Sequence, residues 1–187
     1  MINRERLKKQ LKQDEGYVKI ARKLKVKDKQ GNEITEDFFT DGYGNKYEKG
    51  EVPPKFSTDE EAKAYHEKKF DENLDEALQQ AVSIIGANHP PEVLEAVTNM
   101  TFNMGKEGVK GFDLTIKMLK KRDYRGASKE ILLSSDGKSK SGYYNQVGGR
   151  AERVSKLMSS GFKTDDAGPV GEMFREIDMA QYLGRRL

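Results

Sequence analysis

The segment from Asp59 to Ile85 constrains the fold most, because its pattern predicts one long uninterrupted helix. Ser57 or Thr58 can cap the first turn, and acidic residues follow where the helix dipole favours them. Apolar residues then recur at three- and four-residue steps, namely Phe70, Leu74, Leu78, Ala81, Val82 and Ile85. Such a helix is longer than a compact domain of 187 residues needs, so we expect it to join two lobes.

The chain before this helix is predicted to form a small lobe that contains β structure. Leu7 and Leu11 lie among charged residues at a helical spacing, and Gly16 is placed to end that first helix. Short alternating segments then predict strands at 25–27, 33–35 and 38–40, and turn residues fill 28–32 and 41–45.

The chain after the long helix has helical patterns only. A helix is predicted to open at Pro90-Pro91 and to close at Gly105. Further helices are predicted at 112–119, around 127–132, after Gly148-Gly149 and at 172–183. We therefore expect an α+β fold in one domain, 1–187. Its parts are a β-containing lobe at 12–58, a connecting helix at 59–85, a helical lobe at 86–162 and an extension of unknown role at 163–187.

Composition argues against several classes of site. The chain has no cysteine, which excludes disulfides and thiolate zinc sites. Its only histidines, His66 and His89, are far apart and are expected on a helix surface and in a loop, so neither a metal site nor any cofactor is predicted. The net charge of +3, without a basic stripe, does not indicate a nucleic-acid partner. Neither a membrane span nor a secretory signal is expected, since no long apolar run occurs.

Three blocks of the sequence resemble one family in the same order. They are Asp14-Glu15-Gly16, the run from Asn99-Met100-Thr101-Phe102 through Met118-Leu119, and Tyr143-Tyr144-Asn145-Gln146 followed by Arg150-Ala151 and Arg153-Val154. Together with the helix start at Thr58, they are similar to the T-even phage-type lysozymes, glycoside hydrolases that include endolysins and muramidases. The resemblance covers roughly residues 7–162. It implies a two-lobed lysozyme-like fold that holds the sugar chain in the cleft between its lobes.

The resemblance also implies three catalytic residues. The family's glutamate falls on Glu15, its aspartate turn on Asp28 and its threonine strand on Thr40. This sequence places 12 residues between Glu15 and Asp28, and 11 between Asp28 and Thr40, in both cases more than the family does. Asp37 and Asp41 therefore remain alternatives to Asp28 as the second carboxylate.

Substrate contacts follow from the same resemblance, position by position. The family's contacting phenylalanine and its neighbour fall on Phe102 and Asn103, and the contacting serine falls on Thr115. The hairpin position corresponds to Lys46. A helix asparagine of the family is replaced here by Glu130.

The resemblance implies hydrolysis of the β-1,4 bond between N-acetylmuramic acid and N-acetylglucosamine of peptidoglycan.

 The expected reaction inverts the anomeric carbon, with Glu15 as general acid and with Asp28 and Thr40 positioning the attacking water. A non-catalytic peptidoglycan-binding module and a lytic transglycosylase remain as alternatives.

The expected biological setting follows from this reaction. The partner is the peptidoglycan polysaccharide, and the protein is expected to act as a monomer. Because no secretory signal is expected, it would accumulate in the host bacterial cytoplasm and reach the cell wall through a holin-type pore.

Overall fold

The structure is a computed structural model that describes residues 2–27, 33–134 and 136–161. Over those residues it contains a three-stranded antiparallel sheet and seven helices, so the predicted α+β class is confirmed. The chain divides into two compact units. One unit is Arg4–Ala77, and the other comprises the described residues from Leu78 on, together with Ile2 and Asn3.

The first helix, α1, spans Arg4–Glu15 and confirms the predicted amphipathic pattern. Leu7 and Leu11, one helical turn apart, are fully buried, while the charged residues around them stay accessible. The helix ends at Gly16, whose φ of 70° is a left-handed conformation that glycine adopts without steric cost. The N–H of Gly16 donates to the carbonyl oxygen of Lys12 at 3.1 Å, which satisfies one of the terminal carbonyls.

The sheet is more extensive than the alternating segments predicted. Its strands are β1 (Val18–Lys27), β2 (Glu33–Gly42) and β3 (Asn45–Tyr47), in the order β1-β2-β3. The predicted strands are confirmed as parts of β1 and β2, whereas β3 was not predicted. Only three residues form β3, too few for an alternating pattern to show in the sequence.

The pairing of β1 with β2 is interrupted twice. Arg22 pairs with Thr40 and Lys23 with Phe39, but the next pair joins Lys25 to Thr35. Three residues of β2, 36–38, therefore stand opposite the single residue 24, which is a β-bulge. A second irregularity separates the pairs Val18–Gly42 and Arg22–Thr40. A bulge bends its strand and leaves residues unpaired. The two irregularities therefore explain why this hairpin has no regular alternation in its sequence.

The long helix α2 spans Asp59–Ile85, as the sequence predicts. Thr58 is the residue that caps it, because its Oγ1 accepts from the Glu61 N–H at 3.1 Å. Glu61 in turn accepts from the Ser57 N–H at 2.8 Å. The first part of α2 buries Phe70 and Leu74 in the Arg4–Ala77 unit, and the helix continues past Ala77 into the second unit.

The second unit is helical. Its helices are α3 (Pro91–Lys110), α4 (Asp113–Lys120), α5 (Tyr124–Glu130), α6 (Gly142–Val147) and α7 (Gly149–Ser160). Pro91 opens α3, as predicted. Gly105 interrupts it with φ 71° and ψ 172°, but the chain resumes helical structure and reaches Lys110. The helix α6 was not predicted, since its six residues carry no amphipathic period.

The core of the second unit is formed by apolar residues from α2, α3, α4, α5, α6 and α7. Its buried members include Ala81, Val93, Met100, Leu119, Tyr124, Ile131, Val154 and Met158. The predicted turn at 28–32 and the predicted helix at 172–183 lie outside the described residues. Over the part of the chain that the structure describes, none of the helices combines the length and apolar character that a membrane crossing requires.

Candidate functional site

Glu15 is the last residue of α1 and its side chain is half-buried. Its carboxylate points at the turn between β2 and β3: Oε2 lies 3.7 Å from the point at which a Cβ on Gly44 would stand. Gly44 has φ 89°, and its N–H donates to the carbonyl oxygen of Asp41 at 3.0 Å, which closes the turn. The end of α1 and the β2–β3 hairpin thus meet at the Glu15 carboxylate.

Thr40 and Lys46 belong to that same hairpin and are paired across it. Thr40 is only 9% exposed, whereas Lys46 is exposed. The Lys46 Nζ lies 2.9 Å from Oε1 of Glu48 and 4.3 Å from the centroid of the Phe38 ring. The structure therefore brings Glu15 to a hairpin that carries two other predicted site residues.

There are three candidates for the second carboxylate, and the structure describes them to different extents. Asp28 lies outside the described residues. Asp37 belongs to the bulged part of β2, at 36–38, where the backbone departs from regular pairing.

Asp41 is buried and its oxygens are engaged. It is 1% exposed, and its carboxylate accepts from Tyr47 Oη at 3.0 and 3.1 Å and from Asn45 Nδ2 at 3.1 Å. His66 Nε2 lies 3.3 Å from its Oδ2. A carboxylate enclosed in this way does not face solvent, which argues against Asp41 as the group that directs a water molecule.

The expectation that His66 lies on a helix surface is wrong. His66 is fully buried in α2, with Nδ1 3.1 Å from the Tyr17 hydroxyl. The sequence did hold a signal, because Ala62, His66, Phe70 and Leu74 follow one another at four-residue steps and so share the buried face of α2. His89 does lie in a loop, between α2 and α3.

Tyrosines surround the end of α1 and stay neutral. The rings of Tyr17 and Tyr43 are 5.1 Å apart between centroids. Burial raises the pKa of both phenols above the ordinary value. Tyr43 donates to Glu67 at 3.2 Å, and Glu67 also pairs with Lys12 of α1. For Glu67, burial pushes the carboxyl pKa up, but the hydrogen bond and charge of Lys12 outweigh it and the pKa is lowered.

The remaining predicted site residues belong to the helical unit. Phe102, half-buried, and Asn103, exposed, lie on α3 just before Gly105. Glu130, also half-buried, ends α5. Thr115 of α4 is 1% exposed and its hydroxyl is without a hydrogen-bond partner, so it does not face solvent in this structure.

A cavity of about 590 Å³ lies elsewhere on the Arg4–Ala77 unit, and neither Glu15 nor Thr40 lines it. Its wall is largely apolar and includes Ile20, Phe39, Val52, Pro53 and Phe56. Size alone therefore does not identify the catalytic position here. Among the described residues there is also no cluster of acidic and histidine side chains that could hold a metal ion.

Comparison with known families bears on the site directly. The family model for phage lysozyme matches residues 12–150. The chain belongs to the phage lysozyme family. Membership confirms the resemblance and supports a lysozyme-type peptidoglycan hydrolase, a glycoside hydrolase. A search of curated proteins finds no match.

The match to phage lysozyme includes Glu15, the hairpin and the described helices as far as Arg150. It ends before the extension at 163–187, which lies outside the described residues. Peptidoglycan is accordingly the substrate that membership implies.

Proposed function

We propose that this phage lysozyme hydrolyses the β-1,4 bond between N-acetylmuramic acid and N-acetylglucosamine, with Glu15 as the proton donor. The observation that carries the proposal is the position of the Glu15 carboxylate, at the end of α1 and against the β2–β3 turn. A general acid must be fixed in place beside the leaving oxygen. A helix end that abuts a tight hairpin supplies such a fixed position.

The chemistry requires a second group on the other face of the sugar. In an inverting reaction a carboxylate activates a water molecule, and the two carboxyl groups stand roughly 6.5–9.5 Å apart. We assign the carboxylate to Asp28 and the hydrogen bond that holds the water to the Thr40 hydroxyl. The place of Thr40 in the hairpin that contacts Glu15 supports its part of this assignment.

The sugar chain is proposed to contact residues that come before and after the long helix α2 in the sequence. Lys46 offers an exposed cation on the hairpin, and Phe102 and Asn103 offer an aromatic face and an amide on α3. Thr115 and Glu130 complete the proposed contacts, although burial of Thr115 means that it must become accessible to take part. We further propose that the protein acts as a monomer and leaves the host cytoplasm through a holin-type pore.

Product analysis on purified peptidoglycan tests the proposal. Wild type should release reducing ends, and Glu15→Gln should lose nearly all turnover while it unfolds at the same temperature. Asp28→Asn and Asp37→Asn identify the second carboxylate, since only the variant that lacks it should lose turnover. Glu5→Gln, at an exposed position in the first turn of α1, is the matched control and should keep wild-type activity.

The same experiment separates the alternatives. Mass spectrometry that finds 1,6-anhydro ends would identify a lytic transglycosylase. Binding to peptidoglycan without any release of reducing ends would identify a non-catalytic module. Turnover that persists in Glu15→Gln would refute the role of Glu15.

A further inference from the structure

Polar contacts through one buried histidine join α2 to the segment that follows α1 and to the β2–β3 hairpin. His66 of α2 is fully buried, and its Nδ1 lies 3.1 Å from the hydroxyl of Tyr17, the second residue after Glu15. On its other side, Nε2 lies 3.3 Å from Oδ2 of Asp41, the residue after Thr40. One imidazole therefore touches the chain just beyond the proposed acid and just beyond the proposed water-binding threonine.

The histidine also sets how closely the hairpin approaches α2. A Cβ added to Gly42 would lie 2.9 Å from Cγ and Cδ2 of the His66 ring and 2.8 Å from Nδ2 of Asn45. Contacts that short do not occur. The hairpin can therefore approach the imidazole this closely only because residue 42 has no side chain. Gly42 itself has φ 56°, and residue 42 is thus constrained by both conformation and space.

Further contacts fix the carboxylate that faces His66. Asp41 accepts hydrogen bonds from Tyr47 and Asn45, and Asn45 Oδ1 accepts from Asn73 Nδ2 of α2 at 3.3 Å. The hairpin is consequently linked to α2 at two points, Asp41 of β2 and Asn45 of β3. His66 and Asp41 lie close together without a well-aligned hydrogen bond, because Nε2 has no partner with hydrogen-bond geometry.

We propose that His66 is a positioning residue for the reaction, acting through Asp41 on the hairpin that carries Thr40. It touches no sugar, and this role rests on the proposed function. Asp41 transmits the constraint because it is fixed by His66 on one side and is covalently joined to Thr40 on the other. Removal of the imidazole takes away the group that packs against Asp41 and Gly42, and the hairpin then shifts relative to α2.

The test combines kinetics with a readout that does not need turnover. His66→Gln, Asp41→Asn and the double variant are compared with wild type at a temperature where urea titration shows each to be folded. The expected kcat is about tenfold to hundredfold lower in each single variant, with KM unchanged, since misplacement by about 1 Å has effects of that size. The double variant should be no slower than the slower single variant, because both changes break the same link.

The matched control is His89→Gln. His89 makes a similar pair in the helical unit, with Nδ1 3.2 Å from the Tyr124 hydroxyl and Nε2 donating to the Ile85 carbonyl oxygen at 2.9 Å. Its replacement should lower stability and leave kcat as in wild type. A similar loss of kcat in His89→Gln would show that activity merely follows stability, and would overturn the positioning role.

Amide chemical shifts measured by NMR provide the second readout. Thr40 and Gly44 should shift in His66→Gln and in Asp41→Asn, and neither should shift in His89→Gln. Wild-type kcat together with wild-type shifts at these two amides in a folded His66→Gln protein would overturn the proposal. If that variant does not fold, Asp41→Asn decides by the same criteria.

Failure of the proposed function gives a different result. Wild type without turnover would refute the hydrolase, whereas the amide shifts would still decide whether His66 holds the hairpin.

Discussion

Gly44 faces the carboxylate of Glu15: Oε2 of Glu15 lies 3.7 Å from the point at which a Cβ on residue 44 would stand. In Gly44→Ala a methyl group would fill the space beside that oxygen. The φ of 89° would also become strained, at a cost of about 1–2 kcal/mol in stability. We expect about a tenfold fall in kcat, measured as release of reducing ends, because the acid no longer has the same access to the leaving oxygen.

Gly50→Ala is the control for Gly44→Ala. Gly50 has φ 95° and no atom within 4 Å of its added Cβ, so it shares the backbone strain and lacks the contact with Glu15. It should lose similar stability and keep wild-type kcat. If both variants lose kcat equally, the loss is caused by backbone strain and not by the methyl group beside Glu15.

Ion pairs between α1 and α2 make the stability of the Arg4–Ala77 unit depend on pH. Burial raises the pKa of Glu67, but Lys12 outweighs it and holds the pKa below the ordinary 4.5. A lowered carboxyl pKa stabilises the fold above the unfolded value and is lost as pH falls through the folded value. Lys12→Met should therefore lower the free energy of unfolding by about 1 kcal/mol at pH 7. The difference from wild type should shrink below about pH 4.5.

Urea unfolding at pH 7, 5, 4 and 3 measures that difference. Lys9→Met, at an exposed position on the same helix, is the control and should follow wild type at every pH. A gap for Lys12→Met that stays constant across this range would assign the stabilisation to packing of the lysine on the rings of Tyr43 and Phe70, whose centroids lie 5.1 and 5.3 Å from Nζ.

Much of the fold could be predicted because apolar spacing and end signals agree along α1 and α2 and at the start of α3. The sheet was harder, since β3 is short and the bulge at 36–38 breaks the alternation on which strand prediction depends. Pairing supplies the hydrogen bonds that extend β1 and β2 beyond their alternating segments, and pairing is a property of two segments together.

The site could be predicted only where its residues belong to a sequence block that resembles the family. Glu15 could be proposed because Asp14-Glu15-Gly16 resembles the family's block and stands in order with the other blocks, and the structure puts its carboxylate against the hairpin. The proximity of Asp41 and His66 could not be read from either residue alone, because it joins β2 to α2, two separate elements. Buried polar pairs of this kind depend on tertiary packing that local sequence does not encode.

Arg150 and Asn99 hold α7 to α3 inside the helical unit. Arg150 is 6% exposed, and it donates from Nε to Asn99 Oδ1 at 2.8 Å and from Nη2 to the Asn99 carbonyl oxygen at 3.2 Å. Asn99→Ala removes the side-chain acceptor from a buried cation, so thermal or urea unfolding should show a loss of about 1.5–3 kcal/mol. The control Asn145→Ala, at an exposed position, should change stability by less than about 0.5 kcal/mol. A loss as small for Asn99→Ala would mean that Arg150 is held without the Asn99 side chain.

Thr40→Val tests the hydroxyl without changing the shape of the side chain. Thr40 is nearly buried in β2, and valine keeps its volume and its preference for a strand. If the hydroxyl holds the attacking water, kcat should fall about a hundredfold or more, the range in which positioned proton-transfer partners contribute. Thr35→Val, at an exposed position on the same strand, should keep wild-type kcat. Equal activity of Thr40→Val and wild type, at equal stability, would leave the water to be held by another group on the hairpin.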